Sequence, residues 1–171
     1  MYPTKRSIVL ILILLLCLSS AFPQESTSPK EDNLYSVALF TSVAEMEKEW
    51  GYIDDGDRGN RIRTDYRRAL VQKNPEITGH LPSAAGDYHV EFFDERALIE
   101  SYKSKKKEFS VLEIHPMRNE GKKLKIQVSV SWVKYEKEKL ILEFSDWSDV
   151  EFRYDCEEQK YVVSAVKLGG I

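Results

Sequence analysis

The chain has 171 residues, 42% hydrophobic and 31% charged, and its 25 Lys and Arg face 28 Asp and Glu for a formal net charge of −3. Those proportions suit one ordinary folded domain with a separate leader. They exclude a collagen-like chain, a disordered polar chain and a multi-pass membrane protein. The mildly acidic balance argues against a dedicated nucleic-acid binder, which carries a strongly basic face.

Lys5 and Arg6 give a positive start, Ile8 to Leu18 an unbroken apolar run, and Ser19, Ser20 and Ala21 the small residues read by a signal peptidase. This layout predicts a cleaved signal peptide over 1–21 and a secreted or periplasmic protein. The run falls well short of the roughly 20 residues that span a bilayer, so no retained membrane anchor is expected. Cys17 sits inside the run behind Leu16, where a lipoprotein signal wants a small residue. It is therefore read as leaving with the leader. Cys156 would then be the one remaining thiol, which excludes an internal disulfide. A free thiol or a bridge between the chains of a homodimer are the alternatives. Residues 22–33, FPQESTSPKEDN, are too rich in Pro, Ser and charge to order themselves and read as a flexible lead-in. Residues 34–171 are read as a single domain.

From Leu34 to Trp50, the residues Phe40, Val43, Met46 and Trp50 recur at helical spacing. Asp32 or Asn33 can cap this helix and Gly51 can end it. The stretch DDGDRGN at 54–60 is a loop. Ile62, Tyr66, Ala69 and Leu70 fall at i, i+4, i+7 and i+8 and predict a second helix over 61–73, stopped by Pro75. Residues 74–86 read as irregular. A strand is expected over 87–93, then a third helix over 94–107 that buries Leu98 and Tyr102. The lysines at its end (Lys103, Lys105, Lys106, Lys107) suit a helix C-terminus better than an anionic-surface patch.

The remainder is β. Residues 109–115 form one strand, and Pro116 with Asn119, Glu120 and Gly121 turns the chain. In 123–135, Leu124, Ile126, Val128, Val130 and Trp132 alternate with Lys125, Gln127, Ser129 and Ser131, the period-two mark of a strand with one buried face. Leu140, Leu142 and Phe144, then Val150, Phe152 and Tyr154, repeat the alternation around Ser145–Ser148, which reads as a bulge or turn. Residues 161–168 are the last strand. Short links imply an antiparallel meander. The fold expected is α+β: three helices packed on one face of a curved antiparallel sheet of about five strands. A cystatin-like roll is the alternative.

That order of elements across residues 34–168, with the closing run KYVVSAVKL, resembles the NTF2-like (nuclear transport factor 2-like) superfamily. The resemblance is one of topology, without a diagnostic motif. It implies a cone-shaped cavity and not an activity, because the superfamily holds enzymes, binding modules and transport factors.

The search for chemistry is mostly negative. The acidic turn at Asp54, Asp55 and Asp57 misses calcium-loop spacing. His80, His89 and His115 share no ligand spacing, so no metal is expected. There is no nucleophile elbow, P-loop or dinucleotide fingerprint, and no cofactor is expected. Asp155, Glu157 and Glu158 disfavour a thiolate at Cys156. A ketosteroid-isomerase type of site needs a carboxylate in an apolar cavity. Strand phase nominates Asp146 and His115 as catalytic candidates, against the plainer reading that Asp146 bonds nearby backbone. Trp50, Tyr66, His89, Trp132, Trp147 and Tyr154 are the candidates for lining a ligand pocket, against the plainer reading of core packing.

The sequence thus favours an exported, non-catalytic binding domain for a small apolar ligand or a protein partner. The alternatives are an isomerase, dehydratase or hydrolase with a cavity carboxylate, and an envelope-associated interaction or inhibitor protein.

Overall fold

The computed structural model describes residues 33–50, 65–105 and 107–170, within one compact unit that begins at Asp32. The expected leader at 1–21, all of the lead-in at 22–33 except Asn33, the Gly51 cap and the acidic loop at 54–60 lie outside the described residues. Among the described residues the elements run α1 (Leu34–Trp50), β1 (Arg68–Gln72), α2 (Pro75–Thr78), β2 (Ala84–Ala85), β3 (Tyr88–Phe93), α3 (Glu95–Lys105), β4 (Phe109–Ile114), β5 (Arg118–Glu120), β6 (Lys123–Glu136), β7 (Lys139–Asp155) and β8 (Lys160–Gly170). No helix among them is long and apolar enough to cross a membrane.

The strands make one open, mixed sheet of eight strands in the order β2-β3-β1-β4-β6-β7-β8, with β5 paired to β6. This overturns the expected sheet of about five antiparallel strands. β1 lies between β3 and β4 and is parallel to both. The residues predicted to continue a second helix, Arg68–Gln72, are this inner strand. Ala69 and Val71 pack into one core cluster while Leu70 packs against the other. Apolar residues on both faces hide the period of two, so they fitted a helical period equally well. Residues 74–86, read as irregular, hold α2 and β2. Asn74 caps α2, its side chain accepting from the Glu76 amide at 3.1 Å, and Pro75 opens the helix.

The two longer helices lie on opposite faces, so helices and sheet do not enclose the single apolar cone that was expected. α1 buries Ala38, Leu39, Ser42, Val43 and Met46 against a core that includes Ile126, Val128, Val130, Val150 and Phe152. Asn33 caps it, its side chain accepting from the Tyr35 amide at 3.1 Å. Midway along, Ser42 donates to Ser148 Oγ at 3.0 Å, a buried polar pair between α1 and β7. α3, capped by Asp94 on the Ala97 amide at 2.8 Å, buries Leu98 against Phe109, Val111 and Val133 on the other face. The lysines of its last turn rest on aromatic rings: Lys103 Nζ is 4.7 Å from the Tyr135 ring centre and Lys105 Nζ 4.6 Å from that of Phe109.

β6, β7 and β8 form the antiparallel meander read from the alternation. Each of the two long ladders carries one bulge, and a serine is the extra residue in both. Ser145 is left over where Val130 faces Asp146 and Ser131 faces Phe144, and its hydroxyl donates to the Val130 carbonyl at 3.2 Å. Ser164 is left over where Glu151 faces Ala165 and Phe152 faces Val163, and its hydroxyl donates to the Glu151 carbonyl at 3.1 Å. The hydroxyl compensates the ladder bond that the extra residue interrupts.

Candidate functional site

The nominated residues do not gather in one cavity. Tyr66 is 7% exposed within the α1 core, and Trp132 is 8% exposed on β6. His89 is exposed on β3. Tyr154 is 50% exposed and meets Tyr161 edge-on at 5.3 Å. Trp147 points to the α3 face, where its ring fills the space over Gly169 that a Cβ would need.

His115 and Asp146 also stand on opposite faces of the sheet. His115 Nε2 is hydrogen-bonded to Ser129 Oγ at 2.8 Å, and Ser131 donates to Glu113 at 3.2 Å, all on the α3 face. A serine beside a histidine is the pairing that nucleophilic catalysis uses. Ser129 is, however, fully buried and Ser131 1% exposed, so no substrate carbonyl can reach either hydroxyl. The pairs satisfy polar groups on a covered surface.

Two of the nominated residues do meet. Trp50, the last residue of α1, and Asp146 on β7 line one cleft, together with Glu45 and Glu49 of α1 and Val166, Leu168, Gly169 and Gly170 of β8. The cleft is open to solvent and has a volume of about 570 Å³, a small-molecule size. It exists because α1 crosses the sheet with its flank toward the edge strand. Glu45 and Glu49, four residues apart, share that flank. Glu47 lies on the opposite flank and is fully engaged. Its two oxygens accept from Tyr88 Oη at 2.8 Å and Arg67 Nε at 2.6 Å. The Tyr88 bond first, then the Arg67 bond, hold the Glu47 carboxyl below its ordinary pKa, and the same contact pushes the Tyr88 hydroxyl up. These contacts fix α1 against β3 and the approach to β1, and thereby fix its other flank over the cleft.

The cleft carboxylates are differently placed. Glu45 has Lys48 at 3.6 Å, a solvent-exposed pair of little energetic weight. Glu49 and Asp146 have no hydrogen-bond or ion-pair partner among the described residues. Three carboxylates beside Trp50, with Lys48 the one ion-pair partner they have among the described residues, make a negative, partly apolar hollow. Its chemistry suits an ammonium or guanidinium group, which gains from the charges and from the ring face together. No trio of His, Cys, Asp or Glu among the described residues is placed to hold a metal ion.

Of the residues lining this cleft, Trp50 had been nominated as a pocket residue and Asp146 as a catalytic one, whereas Glu45, Glu49 and the glycine pair had not been singled out. Two signals were present: carboxylates at i and i+4 off the buried stripe of α1, and adjacent glycines closing a strand, a mark of close approach. Comparison with family models, curated proteins and solved structures finds no match.

Proposed function

We propose that the chain is an exported, non-catalytic binding domain whose cleft between α1 and β8 receives a basic side chain of a protein partner. The observation that carries this reading is the pair of carboxylates, Glu49 and Asp146, that line one hollow with Trp50 and have no hydrogen-bond or ion-pair partner among the described residues. A small apolar ligand would strip water from these carboxylates without repaying the cost. A lysine or arginine side chain repays it, its stem lying on Val166, Leu168 and Trp50 while its head meets the acids. The apolar run from Ile8 to Leu18 supports export.

The test is calorimetric titration with N-acetyl-lysine amide and with N-acetyl-norleucine amide, its uncharged analogue. The expected result is binding of the lysine derivative only, weakened by added salt and by Glu49→Gln or Asp146→Asn. Equal binding of both, or of the norleucine compound alone, would return the cleft to an apolar ligand and sink the proposal.

A further inference from the structure

We infer that the partner segment is extended and basic, and that it docks by adding a strand to the outer edge of β8 between Ala165 and Gly170. This rests on the reading of the cleft above and names what enters it. The sheet has two ends, and they differ. β2, at one end, has two residues; β8, at the other, has eleven and pairs only with β7 among the described residues. A strand end of two residues offers almost no ladder, whereas a long edge presents a row of backbone donors and acceptors to any extended chain.

The bulge at Ser164 breaks the register of β8, so the regular edge begins at Ala165. That regular part is also the part that borders the cleft: Val166, Leu168, Gly169 and Gly170 all line it. An added strand would lie about 4.8 Å beyond β8, with alternate side chains on alternate faces. Side chains on the α1 face would enter the hollow beneath Glu45, Glu49 and Trp50. Those on the α3 face would pass Lys167, whose ammonium is already bound to Glu151 together with that of Lys123. One face of the edge is therefore acidic and the other carries two cations around one acid. The occupant that matches both is a strand with a lysine or arginine at every second position and uncharged residues between them.

Labelled octapeptides test this on the purified protein. One alternates lysine and threonine; a second has the same composition in blocks of two. Two further alternating peptides carry backbone N-methyl groups, on the lysines in one and on the threonines in the other. Binding is read by fluorescence anisotropy and β8 by amide hydrogen exchange. The alternating peptide should bind on the order of tenfold tighter than the block peptide, and one phase of N-methylation should abolish binding while the other is tolerated. Amides in Ala165–Gly170 should gain protection when the peptide is added. Equal affinity for both compositions with no effect of either N-methyl phase would overturn strand addition. The cleft reading would still stand if Glu45→Gln with Glu49→Gln weakened both peptides alike. Insensitivity to those two substitutions would remove the cleft reading itself. Protection of β8 that rises with protein concentration alone would assign the edge to a second copy of the chain and overturn the proposal.

Discussion

Asp146 and Gly170 face each other across the β7–β8 ladder, and the Asp146 carboxylate occupies the space a side chain at 170 would fill. The carboxylate owes its position in the cleft to that missing Cβ. Gly169 has the same relation to Trp147 on the opposite face. The two glycines therefore separate two roles.

Gly170→Ala should push the Asp146 carboxylate aside and weaken N-acetyl-lysine amide binding several-fold, with little change in melting temperature, since it stands at the end of a strand. Gly169→Ala should do the reverse. It drives a methyl into the Trp147 ring, which costs roughly 1–3 kcal/mol of stability as an overpacking change, while cation affinity stays near wild type. Calorimetric titration and denaturant melts of the two variants read both effects. Loss of affinity in Gly169→Ala alone would dissociate Asp146 from the site.

How far the sequence could be read depended on how each element is covered. β6 has an apolar row at Ile126, Val128 and Val130 and a polar row at Lys125, Gln127, Ser129 and Ser131, so its period of two was plain. The polar row is nevertheless largely buried, as Ser129 and Ser131 show. β1 sends Ala69 and Val71 to one core cluster and Leu70 toward the other, so three adjacent apolar residues hid the period of two and five strand residues read as an expected helix. That one exchange converted a mixed sheet with helices on both faces into an antiparallel one with helices on a single face. Of the candidate cleft, only two lining residues drew notice in the sequence. Trp50 and Asp146 are conspicuous, whereas Glu45 and Glu49 look like any exposed helix carboxylates until β8 is placed beside them.

The buried hydroxyl pair Ser42–Ser148 joins α1 to β7 at 3.0 Å, and both residues are fully inaccessible. Removing one hydroxyl strands the other without water. Ser42→Ala and Ser148→Ala should each destabilise by about 1–2 kcal/mol. The double variant should cost less than the sum of the two, because it leaves no orphaned hydroxyl. Denaturant unfolding of the four proteins gives the coupling. Strict additivity would mean that the two hydroxyls do not depend on each other.

Lys137 and Glu138 form the two-residue turn between β6 and β7, with φ of 49° and 64°. Both lie in the left-handed region, which a two-residue hairpin needs and which asparagine and glycine tolerate best. Replacing the pair by Asn-Gly should stabilise the protein by about 1 kcal/mol, given a left-handed penalty of roughly 1–2 kcal/mol per ordinary residue. The gain would be seen as a higher denaturant midpoint with an unchanged slope. An unchanged midpoint would mean that the turn bears no strain.

Glu151 is 6% exposed on β7, with one carboxylate oxygen on Lys123 Nζ at 2.6 Å and the other on Lys167 Nζ. Directly across the ladder, Lys125 is taken up by Glu120 at 2.7 Å and Asp149 at 3.5 Å. The Lys123 bond first, and the Lys167 bond next, lower the Glu151 pKa to about 2 from its ordinary 4.5, against a smaller opposing effect of burial. A carboxyl whose pKa falls on folding stabilises the native state above its unfolded value and loses that contribution as pH drops toward the folded one. The contribution should therefore be complete above about pH 5 and should disappear as pH falls from there to about 2. Glu151→Gln should lower stability at neutral pH, with the gap to wild type closing over that acid range. High salt should narrow the gap at neutral pH, because both lysines are more than half exposed. Urea midpoints of both proteins across the acid range check this, and a gap that persists at about pH 2 would mean that packing of the side chain outweighs its charge.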